Sequence, residues 1–115
     1  MRRGDICLID LEPGQGTEAR KTRPAVIVSN DGANATATRL GRGVITVVPV
    51  TSNVARVYAF QVLLRAAASG LEVDSKAQAE QVRSVDIARV RHRLGSLPLD
   101  LMTELDDALR LHLAL

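Results

Sequence analysis

The apolar residues of this chain change period once, and that change limits the folds open to it. From Gly4 to Leu94 they come in short, mostly β-branched runs broken by Gly, Pro, Asn and Ser, the pattern of strands joined by turns. From Leu101 on, Leu101, Met102, Leu105, Ala108, Leu109, His112 and Leu113 recur at spacings of three and four, the stripe of one amphipathic helix. Five to seven short strands followed by one helix predict a small α+β barrel. The helix closes the open side of that barrel or packs against a second subunit. At 115 residues the chain has room for one core, so residues 1–115 are expected to form a single domain.

The strands are read in order. Gly4 to Glu12 carries Ile6, Leu8 and Leu11 and ends at Pro13-Gly14-Gln15-Gly16, from which a polar loop runs to Arg23. Pro24 to Ser29 predicts a strand buried on both faces. Asn30-Asp31-Gly32 reads as a turn, and residues 33–42 as either a helical turn or an irregular loop. Gly43 to Val50 is the strongest strand, with Pro49 pointing to a sheet edge or a bulge because proline has no N–H for the ladder. Thr51-Ser52-Asn53 opens a second polar loop, and Phe60 to Leu64 is the next strand. After a Ser69-Gly70 turn come Leu71 to Lys76, Ala79 to Val85, and Ile87 to Leu94, the last with Arg89, Arg91 and Arg93 on one face. Ser96 and Pro98 suit the start of the helix, whose polar face carries Asp100, Glu104, Asp106 and Asp107.

Composition removes several classes of function. No apolar run is long enough to span a bilayer, and Gly4-Asp5 follows the Arg2-Arg3 pair where a signal peptide would turn apolar. Cys7 is alone and forms no internal disulfide, which fits a reducing cytoplasm; in its strand it reads as a small core hydrophobe. One Cys and two dispersed His are too few for a zinc site, and no cofactor is expected. The net charge of +2 is mild, but it is unevenly spread. Residues 1–65 hold nine Arg or Lys against five acids, and residues 66–115 six against eight. Arg20, Lys21 and Arg23 form one cluster, Arg39 and Arg42 another. Tyr58 and Phe60 are the only aromatic residues, so any nucleic acid would be held chiefly through phosphates and polar base edges.

Several segments resemble the MazF/PemK toxins of bacterial toxin–antitoxin pairs. They are Arg3-Gly4-Asp5-Ile6, Gly16-Thr17-Glu18, the run from Arg23 to Asp31, Val48-Pro49-Val50-Thr51-Ser52, and the run from Glu80 to Asp86. All five stand in the family's order, and the resemblance extends over the whole chain, with residues 34–53 most like actinobacterial, especially mycobacterial, members. Cys7 stands where the family often has Trp or Tyr. The resemblance implies a small SH3-like β-barrel of the CcdB/MazF/PemK type with a C-terminal helix. It also implies a homodimer and metal-independent, sequence-selective cleavage of single-stranded mRNA. The expected partners are that RNA and a MazE-like antitoxin whose acidic, disordered tail would cover the basic groove. The rivals are a gyrase-binding toxin like CcdB and an inactive interaction domain of the same fold. The tail Arg110 to Leu115 lacks the Trp and Gly that the gyrase reading calls for, and the strand-end Arg and Thr-Ser that an inactive domain would lose are present.

By that resemblance Arg23 and Thr51 are the catalytic positions. A guanidinium can clamp a phosphate through two donors but stays protonated, so Arg23 is read as stabilising transition-state charge, with the base left open. Thr51 would add a hydroxyl to the same phosphate. Glu18, Arg20, Lys21, Ser52, Asn53, Gln81 and Arg83 are the candidate RNA-binding residues. Glu18 is read either on the substrate side or in an ion pair within its loop. If residues 80–83 alternate as a strand, Gln81 and Arg83 share a face toward the RNA groove or belong to a structural hydrogen-bond network. His92 and His112 match no motif and are read as a solvated strand residue and as a satisfied or interface histidine.

Overall fold

A computed structural model describes all 115 residues. Seven strands are joined in antiparallel pairs: β1 (Asp5–Asp10), β2 (Thr22–Ile27), β3 (Val44–Thr51), β4 (Gln61–Leu64), β5 (Ser75–Gln78), β6 (Arg83–Asp86) and β7 (Val90–Ser96). Three helices punctuate them: α1 (Asp31–Leu40), the single turn α2 (Ala66–Ser69) and α3 (Leu99–Leu113). The sheet order is β4-β5-β3-β2-β1-β7, with β6 also paired to β3.

Strand β3 organises the sheet. One edge pairs with β2, and the other with β6 over Val44 to Val47 and with β5 over Val50 and Thr51. The expectation that Pro49 marks a sheet edge is corrected here, since β3 is an interior strand. Pro49 falls where the partner changes from β6 to β5, and a 3-10 turn at Ala79–Gln81 joins those two strands. No ladder bond on that side is required of a residue that cannot donate one. The same 3-10 turn takes the first part of the strand expected from Ala79 to Val85, whose last residues, from Arg83, form β6, and β5 begins at Ser75 rather than Leu71.

The undecided segment 33–42 is helical. What read as a turn at Asn30 is its N-cap, where the Asn30 side chain accepts the Ala33 N–H at 2.8 Å, and Gly41 ends the helix at φ +65°. Asn34, wholly buried, donates to the Ser29 carbonyl at 2.9 Å and accepts the Ser29 hydroxyl, whose oxygen accepts the Thr46 N–H. Asp31 in the first turn accepts the Arg3 N–H at 2.6 Å. That bond holds its carboxyl below the ordinary carboxylate range. Arg3 also pairs with Asp106 of α3 at 2.6 Å, tying the N-terminus to both long helices.

Because α1 covers a face of the sheet, the buried apolar residues form two clusters and not the single core expected. Ile6, Val26, Val48, Val50 and Leu64 pack with Met102, Leu105 and Ala108 of α3. Cys7, Ile9, Ala25, Ile27, Ile45 and Val47 pack with Ala37 of α1. Alternate residues of β1 and β2 thus serve opposite faces, as a strand's period of two demands. Burial is the main cause that raises the Cys7 thiol pKa, and Asp5 adds to it, so the thiol stays protonated as a core residue. The outer strands, β4 and β7, do not pair with each other; the turn after α2 lies against β7 instead. A Cβ on Gly95 would lie 2.3 Å from the Ser69 carbonyl oxygen, so only glycine admits this contact.

Candidate active site

A cleft of about 480 Å³ opens between the ends of β2 and β3 and the segment that follows α2. It is lined by Leu8, Pro24, Val50 and Leu94, by Arg23, Thr51 and Ser52 at the strand ends, and by a second wall of Gly70, Leu71, Glu72, Val73 and Ser75. Two of the sequence candidates meet here because of strand register. Ala25 pairs with Pro49, so two residues further along the antiparallel strands Arg23 comes level with Thr51. The residue before a proline is confined to extended backbone, which suits Arg23 to its place in β2.

The bonding of each side chain leaves its reactive part free. Arg23 is half-buried, its Nε donates to the Arg20 carbonyl at 2.7 Å, and it joins no ion pair. The guanidinium is thereby aimed while its two terminal nitrogens remain available as donors. Thr51 Oγ1 accepts the Asn53 N–H at 3.3 Å, which leaves the hydroxyl proton to donate elsewhere. Ser52 and Asn53 are exposed, and the Asn53 side chain accepts the Ala55 N–H at 3.3 Å.

The loop that leaves Thr51 is held from below. Lys76, buried and paired with Thr51 across β3 and β5, donates Nζ to the Arg56 carbonyl at 2.6 Å. Gln61 accepts the Tyr58 N–H at 3.1 Å and donates to Glu80 at 2.7 Å. Tyr58 stacks on Phe60 with centroids 5.3 Å apart and planes 2° from parallel.

The first polar loop is held in the same manner, and here the expected alternation of residues 80–83 is corrected. Residues 79–81 form a 3-10 turn, so Gln81 points back at the loop. It accepts the Ala19 N–H and donates to the Thr17 carbonyl, each at 2.9 Å, while Arg83 donates to the Leu11 carbonyl at 3.1 Å. Both side chains sit in a structural hydrogen-bond network. Glu18 accepts the Gln15 N–H at 3.3 Å and forms no ion pair with Arg20 or Lys21. Lys21 adopts φ +69°, its N–H donating to Glu12 at 2.6 Å. Glu18, Arg20, Lys21, Asn53, Gln81 and Arg83 are therefore around the cleft's approaches or beneath its loops and not among its lining residues.

Sequence reasoning missed the second wall. Leu71 to Lys76 read as a strand, yet Gly70 at φ +80° turns the chain and residues 71–74 are irregular. Glu72 thereby lines the cleft. The cationic face expected on β7 is exposed but paired with acids: Arg91 meets Asp10 at 3.2 Å and Arg93 meets Asp5 at 3.3 Å. His112 is exposed at the end of α3, 6.5 Å from the Phe60 ring centroid. No group of three or more His, Cys, Asp or Glu side chains is disposed to hold a metal ion.

The sequence and the fold are similar to those of known proteins. Residues 2–113 match the family model described as PemK-like, MazF-like toxin of type II toxin-antitoxin system. The chain is 62% identical over 115 residues to endoribonuclease MazF9 of Mycobacterium tuberculosis, covering 100% of this chain and 98% of that one. It superposes on MazF from Deinococcus radiodurans with a TM-score of 0.81 at 28% identity, covering 100% and 97% of the two chains. A chain of the MazE–MazF complex from the same organism superposes with a TM-score of 0.74 at 26% identity, over 100% and 96%. The chain belongs to the PemK-like, MazF-like toxins of type II toxin–antitoxin systems.

Proposed function

We propose that this chain is the toxin of such a pair, an endoribonuclease that cuts single-stranded mRNA without a metal and so halts translation and growth. The observation that carries the reading is the convergence of Arg23 and Thr51 on one cleft, with the guanidinium fork and the hydroxyl proton both uncommitted. RNA supplies its own nucleophile. A 2′-oxygen placed in line attacks the adjacent phosphorus, the bond to the 5′-oxygen breaks, and a 2′,3′-cyclic phosphate and a 5′-hydroxyl result. Charge builds on the non-bridging oxygens during attack, where Arg23 and Thr51 donate most strongly. Ser52 and Asn53 meet the flanking nucleotide, and Glu18, Arg20 and Lys21 border its path on the first loop. Gln81 and Arg83 serve recognition by fixing that loop's shape.

The protein works as a homodimer in the cytoplasm. Leu111, Leu113 and Leu115 leave 58%, 48% and 84% of their surface exposed at and just beyond the C-terminal end of α3, apolar surface suited to a second copy. No helix is long and apolar enough to cross a membrane. A MazE-like antitoxin with an acidic tail silences the toxin by occupying the cleft in place of RNA, drawn by Arg23 within it and by Arg20 and Lys21 on the first loop. The test is incubation with a long single-stranded RNA in EDTA. Discrete cuts with cyclic-phosphate and 5′-hydroxyl ends are expected. Intact RNA beside a folded dimer overturns the reading and turns attention to gyrase, read in a supercoiling assay.

A further inference from the structure

The 2′-hydroxyl must lose a proton, and neither Arg23 nor Thr51 can accept it at neutral pH. Of the residues lining the cleft, Arg23 and Glu72 alone are ionisable. We infer that Glu72 is the general base of the cleavage, an assignment that rests on the ribonuclease reading above.

The segment around Glu72 is built so that this one side chain is left over. Gly70 turns the chain at φ +80°, and the Leu71 N–H donates to Ser69 Oγ at 3.3 Å. Ser75 Oγ donates to the Val73 carbonyl at 3.0 Å. Asp74 accepts the Ala66 N–H at 2.8 Å and faces Arg65 at 3.6 Å, so its carboxylate is engaged. The Glu72 side chain has no hydrogen bond and no ion pair, yet it lines the same cleft as Arg23. A carboxylate in a phosphate-binding cleft repels its ligand, so its presence weakens binding. Proton abstraction is a role that would use it there.

In the step, the 2′-O–H proton passes to the Glu72 carboxylate while the 2′-oxygen bonds to phosphorus. The 5′-oxygen departs with the P–O electron pair and takes a proton from water. Glu72 returns its proton to solvent before the next turnover. The one other charged group lining the cleft is Arg23 from β2; Asp74, two residues along the chain, is already paired to Arg65.

The experiment compares wild type with Glu72→Gln on an RNA in EDTA, together with binding to an uncleavable copy carrying a 2′-deoxy nucleotide at the cut. Glu72→Gln is expected to lower the rate about 10²–10⁴-fold. Its rate should then climb about tenfold per pH unit as hydroxide takes over, where wild type is flat. Binding of the 2′-deoxy copy should tighten, since a negative charge has gone, and this also shows that the variant is folded. A 5′-bridging sulfur, which leaves without a proton, should not restore the variant. Restoration by that substrate makes Glu72 an acid and overturns the assignment. Wild-type cleavage by Glu72→Gln overturns it as well, leaving the ribonuclease reading in place. If wild type cuts nothing, both readings fall.

Discussion

Arg23→Ala lowers the rate of RNA cleavage about 10²–10³-fold while the protein stays folded, because one preorganised donor to a developing oxyanion is worth about 3–4 kcal/mol. The stability cost is small by comparison. Arg23 is half-buried and makes one hydrogen bond, to the Arg20 carbonyl, which contributes about 1 kcal/mol. Arg23→Lys should fall between the two, since an ammonium keeps the charge but loses the two-pronged geometry. Rates measured in EDTA, beside circular dichroism of each variant, separate loss of chemistry from loss of fold. An Arg23→Ala protein that cuts at the wild-type rate would remove this cleft as the site.

Gly95→Ala should be the most damaging small substitution for stability. Its Cβ would sit 2.3 Å from the Ser69 carbonyl oxygen, and backbone cannot step aside as a flexible side chain can. Forced overpacking of this kind costs about 2–3 kcal/mol, a fall in Tm on the order of 10 °C for a chain of this size. The damage should reach activity too, because the displaced turn leads into Gly70 to Ser75, the wall of the cleft. Thermal unfolding followed by circular dichroism reads the first effect. An unchanged Tm would mean that the turn after α2 does not seal the edge of β7.

Much of this molecule was legible because short-range chemistry decides it. The β-branched runs at Pro24–Ser29 and Gly43–Val50 become β2 and β3, and the stripe from Leu101 becomes α3. Arg23 and Thr51 stood at the ends of predicted strands, but only the register between β2 and β3 brings them level. Other features depend on distant partners and carry no local signature. Asn30 reads as a turn residue until Ala33 donates to it; Pro49 reads as an edge until β6 yields to β5 beside it. Gln81 seemed free to face a ligand because its bonds to Thr17 and Ala19 lie more than sixty positions away in sequence. Glu72 gave no signal, since what singles it out is that its neighbours are paired and it is not. The RNA word that is cut depends on loop shape in the same manner, and no local rule maps residues 13–23 and 51–60 onto bases.

The most direct measurement is an NMR titration of the protein with a single-stranded RNA made uncleavable by one 2′-deoxy nucleotide at the cut. Shifts are expected at the Arg23 side-chain Nε–H, the amides of Thr51 and Ser52, and those of Leu71 to Val73, the two walls of one cleft. Shifts confined to α1, on the sheet's other face, with the Arg23 Nε–H unmoved, would contradict the account.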